Sequence, residues 1–422
     1  MERTTAKKNK YEIDMCNGTI MDKLISFSLP LMLSGILQLM FNAVDIIVVG
    51  RFSGSQALAA VGSTSALINV FTNLFIGISL GANVLTARFY AAGREKEVSE
   101  TVHTAITLAL VSGIVMALVG LVFSKGALAL MGTPDDVIGL SALYMRIYFL
   151  GMPFFMLYNY GAAILRAVGD TKRPLLFLMI AGVINACLNM VLVIVFKLGV
   201  AGVAIATVIS QMISCVLVLR CLCRSESSYR LRFSELGMKG YYLKQIFSVG
   251  VPAGIQSTVI NFSNVLLQSS VNSFGSTAMA GYTAANNLLG FLYVSVNSIT
   301  QACMSFTSQN YGVGKLKRMD RVLADCMILS VVVAVVLGCI CYGFGPEILQ
   351  IYTEDAEVIA CGMEILAYTT ITYFLCGWMD LFPGALRGMG YSAVPMVLSV
   401  IGTVGTRVVW IFGIFPYHRS LA

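Results

Sequence analysis

From residue 25 to 50 the chain runs almost without charge, and its single carboxylate, Asp45, lies toward the far end. As a helix this run reaches about 40 Å, enough to span a bilayer with tilt. Its polar residues Ser34, Gln38, Asn42 and Asp45 follow one another at spacings of four, four and three, so they share one helix face. Lipid is a poor solvent for an ionisable group, and the pattern predicts that this face lines a polar interior between helices. Pro30, one turn below Ser34, adds a flexible point.

Comparable apolar runs recur at 24–50, 60–85, 102–123, 139–164, 174–196 and 201–222. After a polar, basic stretch they resume at 246–272, 278–306, 322–344, 359–385 and 394–415. Eleven runs of this length predict an all-α integral membrane protein. Its organisation reads as a leader (1–22), an N-lobe of six spans (23–223), a linker (224–245) and a C-lobe of five (246–422). Composition agrees: 57% of the 422 residues are hydrophobic and 12% charged, against about 25% charged in soluble proteins.

The net charge of +7 does not indicate a nucleic-acid partner, because the basic residues are spread over short loops. They gather on alternate loops: Arg88, Arg94 and Lys96, then Arg166, Lys172 and Arg173, the linker, and Lys315, Lys317, Arg318 and Arg321. The opposite loops hold Arg51, Lys125, Lys197 and Arg419, with Asp135, Asp136, Glu354, Asp355 and Glu357. The positive-inside rule puts the N-terminus in the cytoplasm of a multi-pass protein, expected in the cell membrane. Eleven cysteines, most inside apolar runs, read as buried thiols, and two histidines do not make a metal site. Enzyme chemistry would need a nucleophile with its base or a metal cluster, and neither is visible. No phosphate-binding Gly-rich Lys-Ser/Thr loop is present for ATP, and no cofactor is expected.

The second half repeats the first. Pro30 matches Pro252 at an offset of 222, and from Gly54-Ser55-Gln56 against Gly275-Ser276-Thr277 the offset is 221. That register holds at Tyr90 to Arg94 against Tyr311 to Lys315, and at Leu165-Arg166 against Leu386-Arg387. Six spans per half is an even number, so the repeats are expected to be parallel, with a cavity between lobes that rock about the linker. Ala422 maps to Ala201, where the sixth span begins. The twelfth span is therefore absent here, which reads as a truncated sequence.

Between the fourth and fifth spans, Leu165-Arg166-Ala167-Val168-Gly169-Asp170-Thr171-Lys172-Arg173-Pro174 has the signature of a tight helix-turn-helix connection. Its echo is Leu386-Arg387-Gly388-Met389-Gly390-Tyr391-Ser392-Ala393-Val394-Pro395. With the Asp45-to-Arg51 segment, this pair resembles the multidrug and toxic compound extrusion (MATE) family over nearly the whole chain. The resemblance implies two six-helix lobes around a shared cavity, and export of amphipathic, often cationic, compounds against inward H⁺ or Na⁺. It marks Arg166, Gly169, Asp170, Arg387 and Gly390 as the turn motif. Tyr391-Ser392 departs from the family's Asp-Thr, and Asn185 and Asn189 stand where relatives often have Asn and Asp. Asn261, Asn264 and Gln268 occupy a seventh span where one branch has a glutamate.

Asp45, with Asn42, Asn185 and Asn189, is the expected site for a coupling proton or cation. Gln38, Asn69, Asn73, Asn261, Asn264, Gln268 and Asp380 are candidates for a substrate cavity, although amides in membrane helices often only hold helices together, at about 0.6 kcal/mol per contact. The expected partners are an amphipathic small molecule and the bilayer, with the protein a monomer. The alternative is a lipid-linked oligosaccharide flippase of related architecture, which would need several arginines along a groove; Arg146 and Arg407 lie inside the apolar runs, with Arg220 at the end of another.

Overall fold

The computed structural model describes residues 11–350 and 355–415. Among them there are helices and no strands. In order they are α1 (Met21–Phe52), α2 (Ser55–Ala91), α3 (Glu95–Leu130), α4 (Asp135–Leu150), α5 (Met152–Ala167) and α6 (Lys172–Asn189), the last extended by a π-helical run, Met190–Val195. Then come α7 (Gly199–Cys223), α8 (Gly240–Asn272), α9 (Ser276–Gly312), α10 (Leu316–Gly343), the short α11 (Gly345–Gln350) and α12 (Ala356–Gly388). The final span is composite: α13 (Ala393–Ser399), a π run (Val400–Gly405), α14 (Thr406–Val409) and a second π run (Trp410–Ile414).

Each of the eleven apolar runs falls on one helix, on the α4–α5 pair, or on a helix continued by π-helical runs. Eight of the described helices are long and apolar enough to cross a membrane, and α4 with α5 form a ninth candidate bent by 47°. The bend lies at Gly151, with Pro153 in the first turn of α5, so the run at 139–164 is two helices rather than one. α8 and α9 are long but more polar, because amides and hydroxyls such as Gln256, Asn261 and Asn264 in α8, and Asn287, Asn297 and Gln301 in α9, interrupt the apolar sequence. Such residues at membrane depth belong on a face turned away from lipid.

The chain forms two compact units. Unit 1 holds residues 11–14 and Leu33–Gly254, and unit 2 holds Met15–Met32, 255–350 and 355–415. The division thus runs through α1 and α8, whereas the charge pattern places it in the 224–245 stretch. That stretch is docked within unit 1: the Arg232 backbone N–H donates to His103 Nε2 at 3.0 Å, and Lys239 pairs with Glu100 of α3. The leader is tied down too. In unit 1 the Glu12 carboxylate accepts from the Tyr90 and Tyr229 hydroxyls, each at 2.7 Å. In unit 2 the Met15 carbonyl accepts from Asn310 Nδ2 at 3.1 Å and Arg318 Nε at 3.3 Å.

Both units close-pack through glycine, as membrane helices do when apolar burial alone gives no advantage over lipid. In unit 1, a Cβ on Gly77 of α2 would stand 2.3 Å from the Gly254 Cα of α8, and one on Gly113 of α3 would stand 2.5 Å from the Pro153 Cα. In unit 2, Gly377, Gly384 and Gly388 of α12 lie against Val296, Thr300 and Met304 of α9.

The internal repeat is visible in the backbone. Gly54 and Gly275, Gly93 and Gly314, and Gly169 and Gly390 are each 221 residues apart, with φ of 86° and 98°, 70° and 72°, and 97° and 94°. Glycine is the residue that adopts this left-handed region without penalty, so the connections at these points are built alike in both halves.

Gly77→Val is therefore expected to destabilise the protein by about 1–3 kcal/mol, since backbone rather than a movable side chain meets the new methyls. Gly62→Ala, on the same helix with open space around it, is expected to be neutral or slightly stabilising. Thermal unfolding of the two purified variants in one detergent checks this; equal midpoints would refute the backbone contact.

Candidate functional site

The position of Asp45 is set one turn earlier. The ring of Phe41 presses against α6 at Gly182, where a Cβ would stand 1.8 Å from the ring edge. α1 and α6 run in the same direction past this contact, so Asp45 of α1 meets Asn189 of α6, two turns beyond Gly182.

Four side chains converge there. Asn189 Nδ2 donates to Asp45 Oδ1 and, at 3.1 Å, to Asn185 Oδ1. Thr207 of α7 has one proton, with the Val203 carbonyl at 3.0 Å and Asp45 Oδ2 at 3.5 Å as its acceptors. Asn185 Nδ2 reaches Thr207 Oγ1 at 3.5 Å. Asn189 is fully buried, and its Oδ1 has no hydrogen-bond partner among the described residues. On α4, Tyr144 and Tyr148 stack with centroids 6.1 Å apart, within electrostatic reach of Asp45. One carboxylate, two amide oxygens and a hydroxyl are hard oxygen donors suited to a proton or a small cation, without the sulfur or imidazole that transition metals favour. Among the described residues no group of three His, Cys, Asp or Glu side chains could hold a metal.

Three of the four expected coupling residues thus meet. Asn42 is exposed on α1 and takes no part in these bonds. Thr207 was not among the expected residues; a hydroxyl inside an apolar run was the only signal for it. Gln38 and Asn69 are exposed and Asn73 is half-buried, and none of the three bonds to the cluster. In unit 2, Asn261 and Asn264 are exposed and Gln268 is half-buried on α8. Asn264 Oδ1 and Ser263 Oγ take hydrogen bonds from Arg407 Nη1 at 2.7 and 2.9 Å. Asp380 of α12 interacts electrostatically with Arg387, whose Nη2 donates to Gln256 Oε1 at 2.5 Å.

The turn motif works as a structural joint. Asp170 is fully buried and caps α6, its carboxylate accepting from the Arg173 backbone N–H at 3.1 Å and from the Arg173 guanidinium. Burial pushes its carboxyl up, and Arg173 draws it back down. A Cβ on Gly169 would stand 2.6 Å from the Ile13 carbonyl oxygen, so the glycine also admits the leader. Arg166 ends α5, and no side-chain hydrogen bond from it is found among the described residues. At the matching turn, Gly390 keeps the left-handed conformation, while Tyr391, in the place of Asp170, is exposed and leaves α13 without a side-chain cap.

Comparison with known proteins gives two matches to one family model, MatE, over residues 30–191 and 252–412, the same two halves that the repeat defines. The chain is 32% identical over 402 residues to the probable multidrug resistance protein YoeA of Bacillus subtilis, covering 93% of this chain and 86% of that one. It is 22% identical to the multidrug export protein MepA of Staphylococcus aureus, covering 90% and 84%. Among solved structures it is similar to an outward-facing multidrug resistance MATE family transporter of the MOP superfamily, with a TM-score of 0.89, 20% identity, and 96% and 91% of the two chains covered.

If the Phe41–Gly182 contact sets the meeting of Asp45 and Asn189, Gly182→Val is expected to separate α1 from α6, at a cost of about 1–3 kcal/mol, and to lower transport. Phe41→Ala in the same chain makes room for the valine and is expected to restore part of both. Failure of the second change to restore either stability or transport would refute the coupling of packing to the site.

Proposed function

Because the chain belongs to the MatE family of multidrug efflux transporters, we propose that it is a secondary antiporter, exporting amphipathic compounds, cationic ones by the family resemblance, against inward H⁺ or Na⁺. The observation that supports this most is the cluster of Asp45 with Asn185, Asn189 and Thr207. A carboxylate on a membrane helix is costly unless it takes a proton or cation or meets water, and here its hydrogen-bond partners are the neutral amide of Asn189 and the hydroxyl of Thr207. Ion occupancy of this site changes the charge inside unit 1, and so changes which conformation is favoured. Pro30 lies fifteen residues before Asp45 in the same helix, and gives α1 a point at which it can bend as the charge changes. In this reading the protein is a monomer in the cell membrane with its N-terminus in the cytoplasm, working by alternating access. Its partners are the cargo, the ion and the bilayer, with no nucleic acid, enzyme activity or cofactor involved.

The test is efflux from proteoliposomes under separately imposed pH and Na⁺ gradients. Asp45→Asn is nearly isosteric and cannot exchange a proton, so it is expected to insert and fold normally while losing gradient-driven efflux. Asp45→Glu is expected to keep part of it, and Asp380→Asn most of it. Full activity of Asp45→Asn under the gradient that drives the parent would sink the assignment.

A hydrogen bond to a charged group is worth about 1.5–3 kcal/mol. Asn189→Ala removes the principal donor to the ionised Asp45 carboxylate, so proton uptake becomes easier, and the proton concentration for half-maximal efflux under a pH gradient is expected to fall by roughly 10-fold to 100-fold. An unchanged ion dependence in this variant would mean that the amide does not contribute to the site.

A further inference from the structure

Each half of the chain joins the same pair of repeat-related spans through polar side chains. In unit 1 the pair is α1 with α6, in unit 2 it is α8 with the composite span after α12, and Asn42 matches Asn264 as Asn185 matches Thr406. The sign of the charge differs. In unit 1 it is the carboxylate of Asp45; in unit 2 it is the guanidinium of Arg407, next to Thr406.

Arg407 is unusual for its depth. It lies seven residues from Ile414, about 10 Å from the nearer end of its span, and a guanidinium stays charged under all ordinary conditions. Its partners are the neutral Ser263 Oγ and Asn264 Oδ1, both served by Nη1. Among the described residues no carboxylate pairs with it. The remaining N–H groups of its fork, on Nε and Nη2, match the geometry of a carboxylate, sulfonate or phosphate. The π run after it, Trp410–Ile414, matches the π run Met190–Val195 of the other half, but the backbone before it is special to this half. Arg407 sits on a single α-helical turn between two π-helical runs, Val400–Gly405 and Trp410–Ile414, whereas the segment of α6 that matches the first run, 179–184, is ordinary α-helix. A π run shifts the angular position of the residues after it, and such runs gather at functional sites. Access is provided by α8: Asn264 is exposed and shares a face with Asn261 and Gln268, a polar stripe that cannot be turned to lipid.

We infer that Arg407, with Ser263 and Asn264, is a binding site for the anionic group of an amphipathic ligand. As a statement about cargo this rests on the transporter reading, and extends it to compounds that carry an anionic group, zwitterions included. The binding itself can be measured without transport.

The chain's two tryptophans, Trp378 and Trp410, are both in unit 2, and Trp410 is three residues from Arg407. The full chain in phosphatidylcholine nanodiscs is titrated with an anilinonaphthalene sulfonate and with its trimethylammonium analogue, read by energy transfer from tryptophan after subtraction of empty discs. The expected result is saturable binding of the sulfonate, weakened about tenfold or more in Arg407→Gln and partly retained in Arg407→Lys, with no such loss for the cation. Asn264→Asp keeps the arginine but gives it a carboxylate, and is expected to abolish sulfonate binding; it serves equally if Arg407→Gln does not fold. Equal sulfonate affinity in parent, Arg407→Gln and Asn264→Asp, or a preference for the cation, would overturn the site. Displacement of the sulfonate by phosphatidylglycerol in the discs would assign the site to an anionic lipid headgroup and overturn the assignment to cargo; no displacement supports cargo. Loss of gradient-driven efflux in the parent protein would remove the transporter reading while leaving the measured site in place.

Discussion

A carboxylate held at membrane depth has few ways to be stable, and that constraint organises unit 1. Among the described residues no basic side chain bonds to Asp45. Its hydrogen-bond partners are the Asn189 amide of α6 and the Thr207 hydroxyl of α7, and Asn185 is bonded in turn to both. The buried Oδ1 of Asn189, left without a partner among the described residues, is what a cluster looks like when the protein alone does not complete it. An oxygen-rich, incompletely satisfied pocket suits a small, exchangeable ion better than a permanent structural contact.

What lets the cluster form is the absence of side chains elsewhere. Gly182 admits the ring of Phe41, Gly77 admits the backbone of α8, and Gly113 admits the turn at Pro153. Each contact fixes the rotation of one helix against another, and rotation decides which polar residues meet. Unit 2 uses the same device along α12 but presents a different charge, the guanidinium of Arg407, on a last span that carries a π run before it as well as after it. One repeated architecture thus carries two clusters of opposite sign.

Much of this was legible in the sequence. Hydrophobic runs report the environment of a helix directly, so the all-helical class and the eleven runs were readable, and the register of 221 aligned the three pairs of glycines whose left-handed conformation the structure then shows. The meeting of Asp45 with Asn185 and Asn189 was one of two readings of those amides, the other being that they only hold helices together. The rest was hidden for physical reasons. An apolar run says nothing about bends, and the break at Gly151 is masked by the hydrophobic residues on either side. Thr207 looked like any hydroxyl in a membrane helix, since its role depends on the rotation of α7. Asn42 shares the face of Asp45 by spacing, yet it is exposed and takes no part in the cluster. The division into compact units cuts through α1 and α8, since packing ignores the change in polarity that marks the 224–245 stretch.

The central claim is that Asp45 takes up and releases the coupling ion. Infrared difference spectroscopy of the lipid-embedded protein, ion-loaded minus ion-free, reads this directly as a change in a carboxyl band. The account predicts such a band in the parent protein and its disappearance in Asp45→Asn. A difference spectrum with the same carboxyl band in both proteins would contradict it.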